Sequence, residues 1–110
     1  LYIEQCKNYI FSHLHDKIKI PEIATELSLN PNYLSVLFRK YEGTSIKEFI
    51  INEKIKVVKK LLIHSDRSYL EIATCMSFSS QSHLETQFKK IIGLTLRQYR
   101  EKYYIKKISC

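Results

Sequence analysis

The chain has no tryptophan, only two glycines and two prolines, and three cysteines in 110 residues. So little Gly and Pro leaves scant material for the tight turns of hairpins and sandwiches. Cys6, Cys75 and Cys110 are odd in number and show no CxxC spacing. Reduced thiols of a cytoplasmic protein fit this better than a disulfide framework or a zinc site. No apolar run approaches the roughly 18 residues that a membrane span needs, and no signal peptide is visible. His13 and His15 are two apart and do not share a helix face, and there is no HExxH pattern or His/Cys cluster, so no metal site is expected. A Gly-x-Ser-x-Gly elbow and a glycine-rich phosphate loop are also missing. No catalytic residues, no cofactor and no enzyme are expected. The first residue is Leu1 rather than Met, which fits a piece of a longer protein.

What is abundant is apolar residues and positive charge. Hydrophobic residues make up 45% of the chain, enough for a core, and the formal net charge is +7 with a pI of about 9.3. That charge points to a polyanionic partner, nucleic acid or an acidic membrane surface, and says nothing about fold. The length allows one domain or two small lobes sharing a connector.

The chain also repeats itself. Glu22/Glu71, Ile23/Ile72, Ala24/Ala73, Thr25/Thr74 and Ser28/Ser77 keep one offset. Leu34/Leu84, Phe38/Phe88, Lys40/Lys90 and Gly43/Gly93 keep an offset one larger, so one residue is inserted before the second long helix of the later copy. Two copies of one unit define the architecture before any single element does.

Every segment reads as helix, and none alternates like a strand. Leu1 to about His15 carries Tyr2, Ile3, Cys6, Tyr9, Ile10 and Leu14 on one face. After the polar connector 16–19, a helix starts near Pro21, a residue suited to a first turn. Ile23, Ala24 and Leu27 form its inner face, and Ser28-Leu29 is a turn. Asn30 caps the next helix, Pro31 opens it, Leu34, Leu37, Phe38 and Tyr41 point inward, and Gly43 ends it. Ser45 to Glu48 is a capping box starting the longest helix, to about His64. Its two apolar stripes suit a connector packing on two bodies. Ser68 to Glu71 is a second box, opening a short helix to about Met76. Ser77-Phe78 is the turn, and Ser79 caps a helix from Ser80 to Ile92 with Leu84, Phe88 and Ile91 inward. Thr95 to Gln98 is a third box, opening a basic helix through about Lys106. The predicted division is a first lobe at about 1–44, a connector at 45–64 and a second lobe at 65–107.

A short helix, a turn and a longer helix, with an inward Ala in the first and an inward Leu and Phe in the second, is a helix-turn-helix pattern. The small Ala lets the two helices cross closely. With Ile72-Ala73, the run Phe78 to Leu84, Phe88-Lys89-Lys90, Gly93-Leu94-Thr95 and Tyr99-Arg100, the chain resembles the DNA-binding domain of the AraC/XylS family of bacterial transcription regulators. The likeness covers about Lys17 to Lys102. It implies an all-α fold of seven helices, with two helix-turn-helix lobes joined by a rigid connector. It further implies two recognition helices entering successive major-groove faces of one duplex, and a sensing or dimerising domain preceding this one. RNA polymerase as a partner, an activator role and a cytoplasmic, nucleoid-associated location follow from the same resemblance.

Five positions depart from the family pattern. Ser28 and Ser77 stand where a glycine is usual in each turn, which strains the backbone if the turn needs positive φ. Val36 and Thr86 stand where arginine is frequent, so the usual bidentate guanine reader is absent at both. Lys54 replaces a usual connector arginine.

Bases are read from the outward N-terminal part of a recognition helix. In the first lobe that face carries Asn32, Ser35, Val36 and Arg39. In the second it carries Gln81, Ser82, Glu85 and Thr86, with His83 near the edge. Asn32 and Gln81 match adenine N6 and N7; Val36 and the Thr86 methyl match thymine methyls. Glu85 is expected to hold Lys89 at i+4 more than to accept from cytosine. Phosphate contacts fall to Lys40, Lys47, Lys54, Lys89, Lys90 and Arg97, with Arg39 available for either task. If about six engage, log affinity falls against log salt with a slope near −5. Tyr33, Tyr41, Tyr99, Tyr103 and Tyr104 are expected to pack rather than stack on bases, and Cys75 to be buried and inert. A module that docks on RNA polymerase or a partner regulator without touching DNA is the alternative reading.

Overall fold

The computed structural model describes residues 1–105. Its helices are α1 Tyr2–Ser12, α2 Ile20–Glu26, α3 Pro31–Glu42, α4 Ile46–His64, α5 Tyr69–Cys75, α6 Gln81–Ile92 and α7 Leu96–Tyr103. Among the described residues there is no strand, and no helix is long and apolar enough to cross a membrane. Two bodies, Leu1–Glu53 and Lys54–Cys110, divide within α4.

The first body buries Ile3, Cys6 and Ile10 of α1 against Ile23 and Ala24 of α2, Leu34 and Phe38 of α3, and Ile46 and Ile50 of α4. Each such large side chain contributes roughly 1.5–3 kcal/mol on leaving water. Ala24 is fully buried, and α2 lies against α3 with no side chain beyond Cβ to hold the backbones apart. Phe38 meets Phe49 edge-on at 5.4 Å. Burial pushes the Cys6 thiol up to about 11, so it stays protonated and behaves as a small apolar residue.

The second body repeats the plan. Its buried side chains are Ile55, Val58 and Leu62 of α4, Ile72 and Ala73 of α5 with Met76 beyond it, Leu84 and Phe88 of α6, and Leu96 and Tyr99 of α7. Phe88 and Tyr99 meet edge-on at 5.4 Å.

The turn after each short helix is built identically. Leu29 N–H bonds Ala24 C=O at 2.8 Å and Ser28 N–H bonds Thr25 C=O at 3.1 Å; Phe78 to Ala73 and Ser77 to Thr74 repeat these at 2.9 and 3.1 Å. This is a Schellman cap, which needs a left-handed residue at its centre. Ser28 and Ser77 occupy that place at φ 57° and 56°. The strain anticipated from the missing glycines is therefore present in both turns. Ser28 is exposed and is the cleaner site for relieving it. A left-handed L-residue costs about 1–2 kcal/mol, and the greater unfolded-state freedom of glycine offsets part of any gain. Ser28→Gly should raise the thermal midpoint by about 2–4 °C, a net gain near 0.5 kcal/mol. A midpoint that stays put or falls would show the turn to be unstrained.

The other ends follow sequence chemistry. Asn30 accepts from Asn32 and Tyr33 N–H to start α3, and Gly43 and Gly93 end α3 and α6 at φ 74° and 86°. Reciprocal capping boxes start α5 at Ser68/Glu71 and α7 at Thr95/Gln98. The Ser68 N–H, then its hydroxyl, hold the Glu71 carboxyl below its ordinary pKa.

Several expectations shift. The cap of α6 is Ser80, not Ser79, because the inserted residue lengthens the turn ahead of the cap. α1 stops at Ser12, where His13 Nδ1 lies 2.7 Å from Tyr9 C=O. α7 stops at Tyr103 rather than near Lys106, which lies outside the described residues with Cys110. The chain turns there because Tyr104 O–H donates to Asp66 and Ile105 N–H bonds Ile63 C=O at 3.1 Å. Tyr41 is 66% exposed instead of inward, and Ile91 is also exposed. Cys75 is only half-buried, its Sγ accepting from Arg67 Nη1 at 3.4 Å.

Candidate nucleic-acid interface

In the first body, the N-terminal outer face of α3 is held by the Asn30 cap and by Leu34 and Phe38 anchored beneath. Asn32, Val36 and Arg39 are exposed on it, Val36 by 69%, and Ser35 is half-buried beside them. An exposed valine there is an apolar contact surface. Lys40 and Lys47 are exposed. Arg39 Nη2 lies 3.9 Å from Glu48 Oε1, and both side chains are 65% exposed.

In the second body, Ser80 bonds His83 N–H at 3.0 Å and Leu84 and Phe88 anchor α6. Ser82, Glu85 and Thr86 are exposed and Gln81 is half-buried. Gln81 Nε2 donates to Glu85 Oε1 at 3.1 Å, which orients the amide. Glu85 therefore holds Gln81, where Lys89 was expected; Lys89 Nζ donates instead to Gly93 C=O at 3.1 Å. The Thr86 hydroxyl donates back to Ser82 C=O at 2.9 Å, which leaves its methyl as the group suited to thymine. His83 is half-buried, edge-on to Phe78 at 5.5 Å, with Nδ1 enclosed and without a hydrogen-bond partner among the described residues. Only its other nitrogen is left for a base. Lys89, Lys90 and Arg97 are exposed, and Arg97 Nε is paired with Glu101 at 2.9 Å.

Lys54 corrects the sequence reading. Its position on α4 suggests a phosphate contact, but it is 5% exposed and its Nζ donates to Met76 C=O at 2.6 Å. Met76 is the C-cap of α5. The ammonium thus satisfies a carbonyl at the negative end of that helix, out of reach of a phosphate. Arg100, outside the expected set, is occupied likewise at the end of α4, donating to Leu62 C=O and Ser65 C=O.

The two bodies differ in charge. Residues 1–53 hold six Lys/Arg against seven Asp/Glu, net −1; residues 54–110 hold twelve against four, net +8. The basic character of the chain belongs to its second half.

A helix-turn-helix domain model matches residues 23–102. The chain belongs to the AraC/XylS family, as a DNA-binding domain of its transcription regulators. Curated relatives of this AraC-type domain include the regulatory protein PocR of Salmonella typhimurium, 30% identical over 90% of this chain and 33% of that protein. The melibiose operon regulatory protein of Escherichia coli is 30% identical over 91% of this chain and 33% of its own length. The chain spans about a third of these relatives. Among solved structures, the C-terminal domain of the response regulator YesN from Fusobacterium nucleatum is 28% identical, with a TM-score of 0.83 over 88% of this chain and 95% of that one. The fold alone is shared with the C-terminal domain of AraT from Geobacillus stearothermophilus, at 24% identity and a TM-score of 0.93 over 99% and 91% of the two chains. The DNA-binding domain of AdpA, solved with a target DNA, is 23% identical with a TM-score of 0.86 over 92% and 91%.

Proposed function

We propose that this AraC-type domain reads two short major-groove boxes, one per lobe, in an A·T-rich site. The observation that supports this most directly is what the exposed recognition faces carry. Asn32 and Val36 in one lobe, and Gln81 and Thr86 in the other, suit adenine and thymine edges, and no arginine stands at the two positions where guanine readers are frequent. Arg39, Lys40, Lys47, Lys89, Lys90 and Arg97 serve the phosphates and set register without reading sequence. Ser35 and Ser82 add base contacts of lower selectivity. In this reading the two recognition helices take successive major-groove segments of one duplex. The relatives' names speak of operon regulation. The full protein is accordingly read as a cytoplasmic, nucleoid-bound regulator that activates through RNA polymerase and responds to a preceding effector or dimerisation domain.

Selection of bound duplexes from a random library tests the site. A recovered core dominated by guanine contacts would overturn the A·T preference. Gln81→Ala should weaken one box by about 1–2 kcal/mol and leave the other unchanged, the lower end reflecting the bond that Gln81 already makes to Glu85. Lys90→Ala should weaken all sequences alike and make the salt slope shallower by about 0.9. Absence of any gel shift on random duplex at low salt would favour a protein-docking module instead.

A further inference from the structure

We propose that Glu48 restrains the grip of the first lobe on DNA, so that occupancy of its box depends on base match more than on backbone attraction. The inference rests on the DNA-reading role above and assigns a specificity-tuning task to a residue that otherwise looks like a cap.

The chain supplies its own comparison. At the offset that pairs Leu34 with Leu84 and Phe38 with Phe88, Arg39 corresponds to Lys89, Ser45 to Thr95 and Glu48 to Gln98. Glu48 and Gln98 hold the same place, three residues after the hydroxyl that opens the helix following each recognition helix. In the second lobe the neutral amide closes a full capping box: Thr95 N–H bonds Gln98 Oε1 at 2.9 Å and Gln98 N–H bonds Thr95 Oγ1 at 3.0 Å. Capping at this place therefore does not need a negative charge. In the first lobe Glu48 N–H bonds Ser45 Oγ at 3.1 Å, and its carboxylate accepts from the Ser45 and Thr44 hydroxyls at 3.2 Å each.

What the carboxylate adds is its charge, exposed 3.9 Å from the Arg39 guanidinium on the recognition helix. The helix after the second recognition helix also carries an acid, but Glu101 lies in its last turns and is paired with Arg97 on the same helix. A phosphate that takes Arg39 has to displace Glu48 and lie close to it. Together with the net −1 of the first body against +8 in the second, this gives an anchoring lobe and a reading lobe. Weak non-specific attraction in the reading lobe raises the share of its binding that comes from base contacts.

The test is fluorescence anisotropy of the whole chain on a random-sequence duplex, at low and at physiological salt, with thermal melts of each variant. Glu48→Gln should keep its melting behaviour, bind about three- to fivefold tighter at low salt, as expected for one exposed ion pair, and steepen the salt slope by about 0.9. Gln98→Glu should weaken binding by a similar factor. In an Arg39→Ala background the gain from Glu48→Gln should largely vanish. Binding unchanged in a folded Glu48→Gln variant, or a gain undiminished without Arg39, would overturn the proposal. Failure of the unaltered chain to bind duplex at low salt would instead overturn the DNA-reading role on which it rests.

Discussion

Lys54→Ala is expected to lower the unfolding free energy by about 3 kcal/mol, the loss of a buried charged hydrogen bond plus a carbonyl left without its donor. The midpoint should fall by roughly 12–20 °C at the sensitivity usual for small domains. The reason lies in the end of α5. Its C-cap residue, Met76, has a fully buried side chain, and the 2.6 Å bond from Lys54 serves a carbonyl there. A cation at that terminus also meets the negative end of the helix dipole. Truncation removes the ammonium and the aliphatic stem together, and leaves a gap among core side chains. A melt monitored by circular dichroism measures the loss. The salt slope of DNA binding, taken well below the midpoint, should not move. A stable variant with a slope shallower by about 0.9 would return Lys54 to the phosphate contacts.

Lys54 also marks where sequence reasoning stops. On α4 it stands among Lys56, Lys59 and Lys60, and four lysines along one helix read as a solvated face. Only the arrival of the α5 terminus beside it, a contact 22 residues away in sequence, makes the interior position favourable. The elements themselves were legible because their signals are local. Asn30, Ser68 and Thr95 cap where their chemistry suggests, and Gly43 and Gly93 close the recognition helices in left-handed conformations. The seven-helix, two-lobe architecture was legible from the repeat. Sequence does not separate Ser79 from Ser80 as the cap, because the inserted residue lies in the turn, where two adjacent serines offer the same oxygen. The pairing of Glu85 was ambiguous in principle: Gln81 and Lys89 each stand four residues away, and spacing cannot choose between them. Exposure of Asn32, Val36, Ser82 and Thr86 followed from helical period, whereas exposure of Tyr41 did not, since a ring at the end of a helix needs a neighbour to cover it. The Glu48–Gln98 difference was visible in the repeat itself, but its meaning required the distance to Arg39.

The second large effect belongs to Arg100. Its Nε donates to Leu62 C=O at 3.1 Å and its Nη2 to Ser65 C=O at 3.2 Å, and the guanidinium lies 5.3 Å from the centre of the Tyr69 ring. These carbonyls sit where α4 runs out of its own N–H donors, so one side chain closes the end of the longest helix and ties α7 to it. Arg100→Ala should cost about 2–3 kcal/mol, for two charge-assisted bonds at a half-exposed site. Arg100→Lys should recover only part of this, since a point-like ammonium cannot span two carbonyls held in the fork of a guanidinium. The order of thermal midpoints, Arg above Lys above Ala, is the measurement. If Lys restores the full midpoint, charge at the helix end is the whole effect and the fork geometry adds nothing. If Ala leaves the midpoint intact but weakens DNA binding on every sequence, Arg100 is a phosphate contact and α4 is closed by the remaining bonds at its end, Ser65 Oγ to Leu61 C=O and Ile105 N–H to Ile63 C=O.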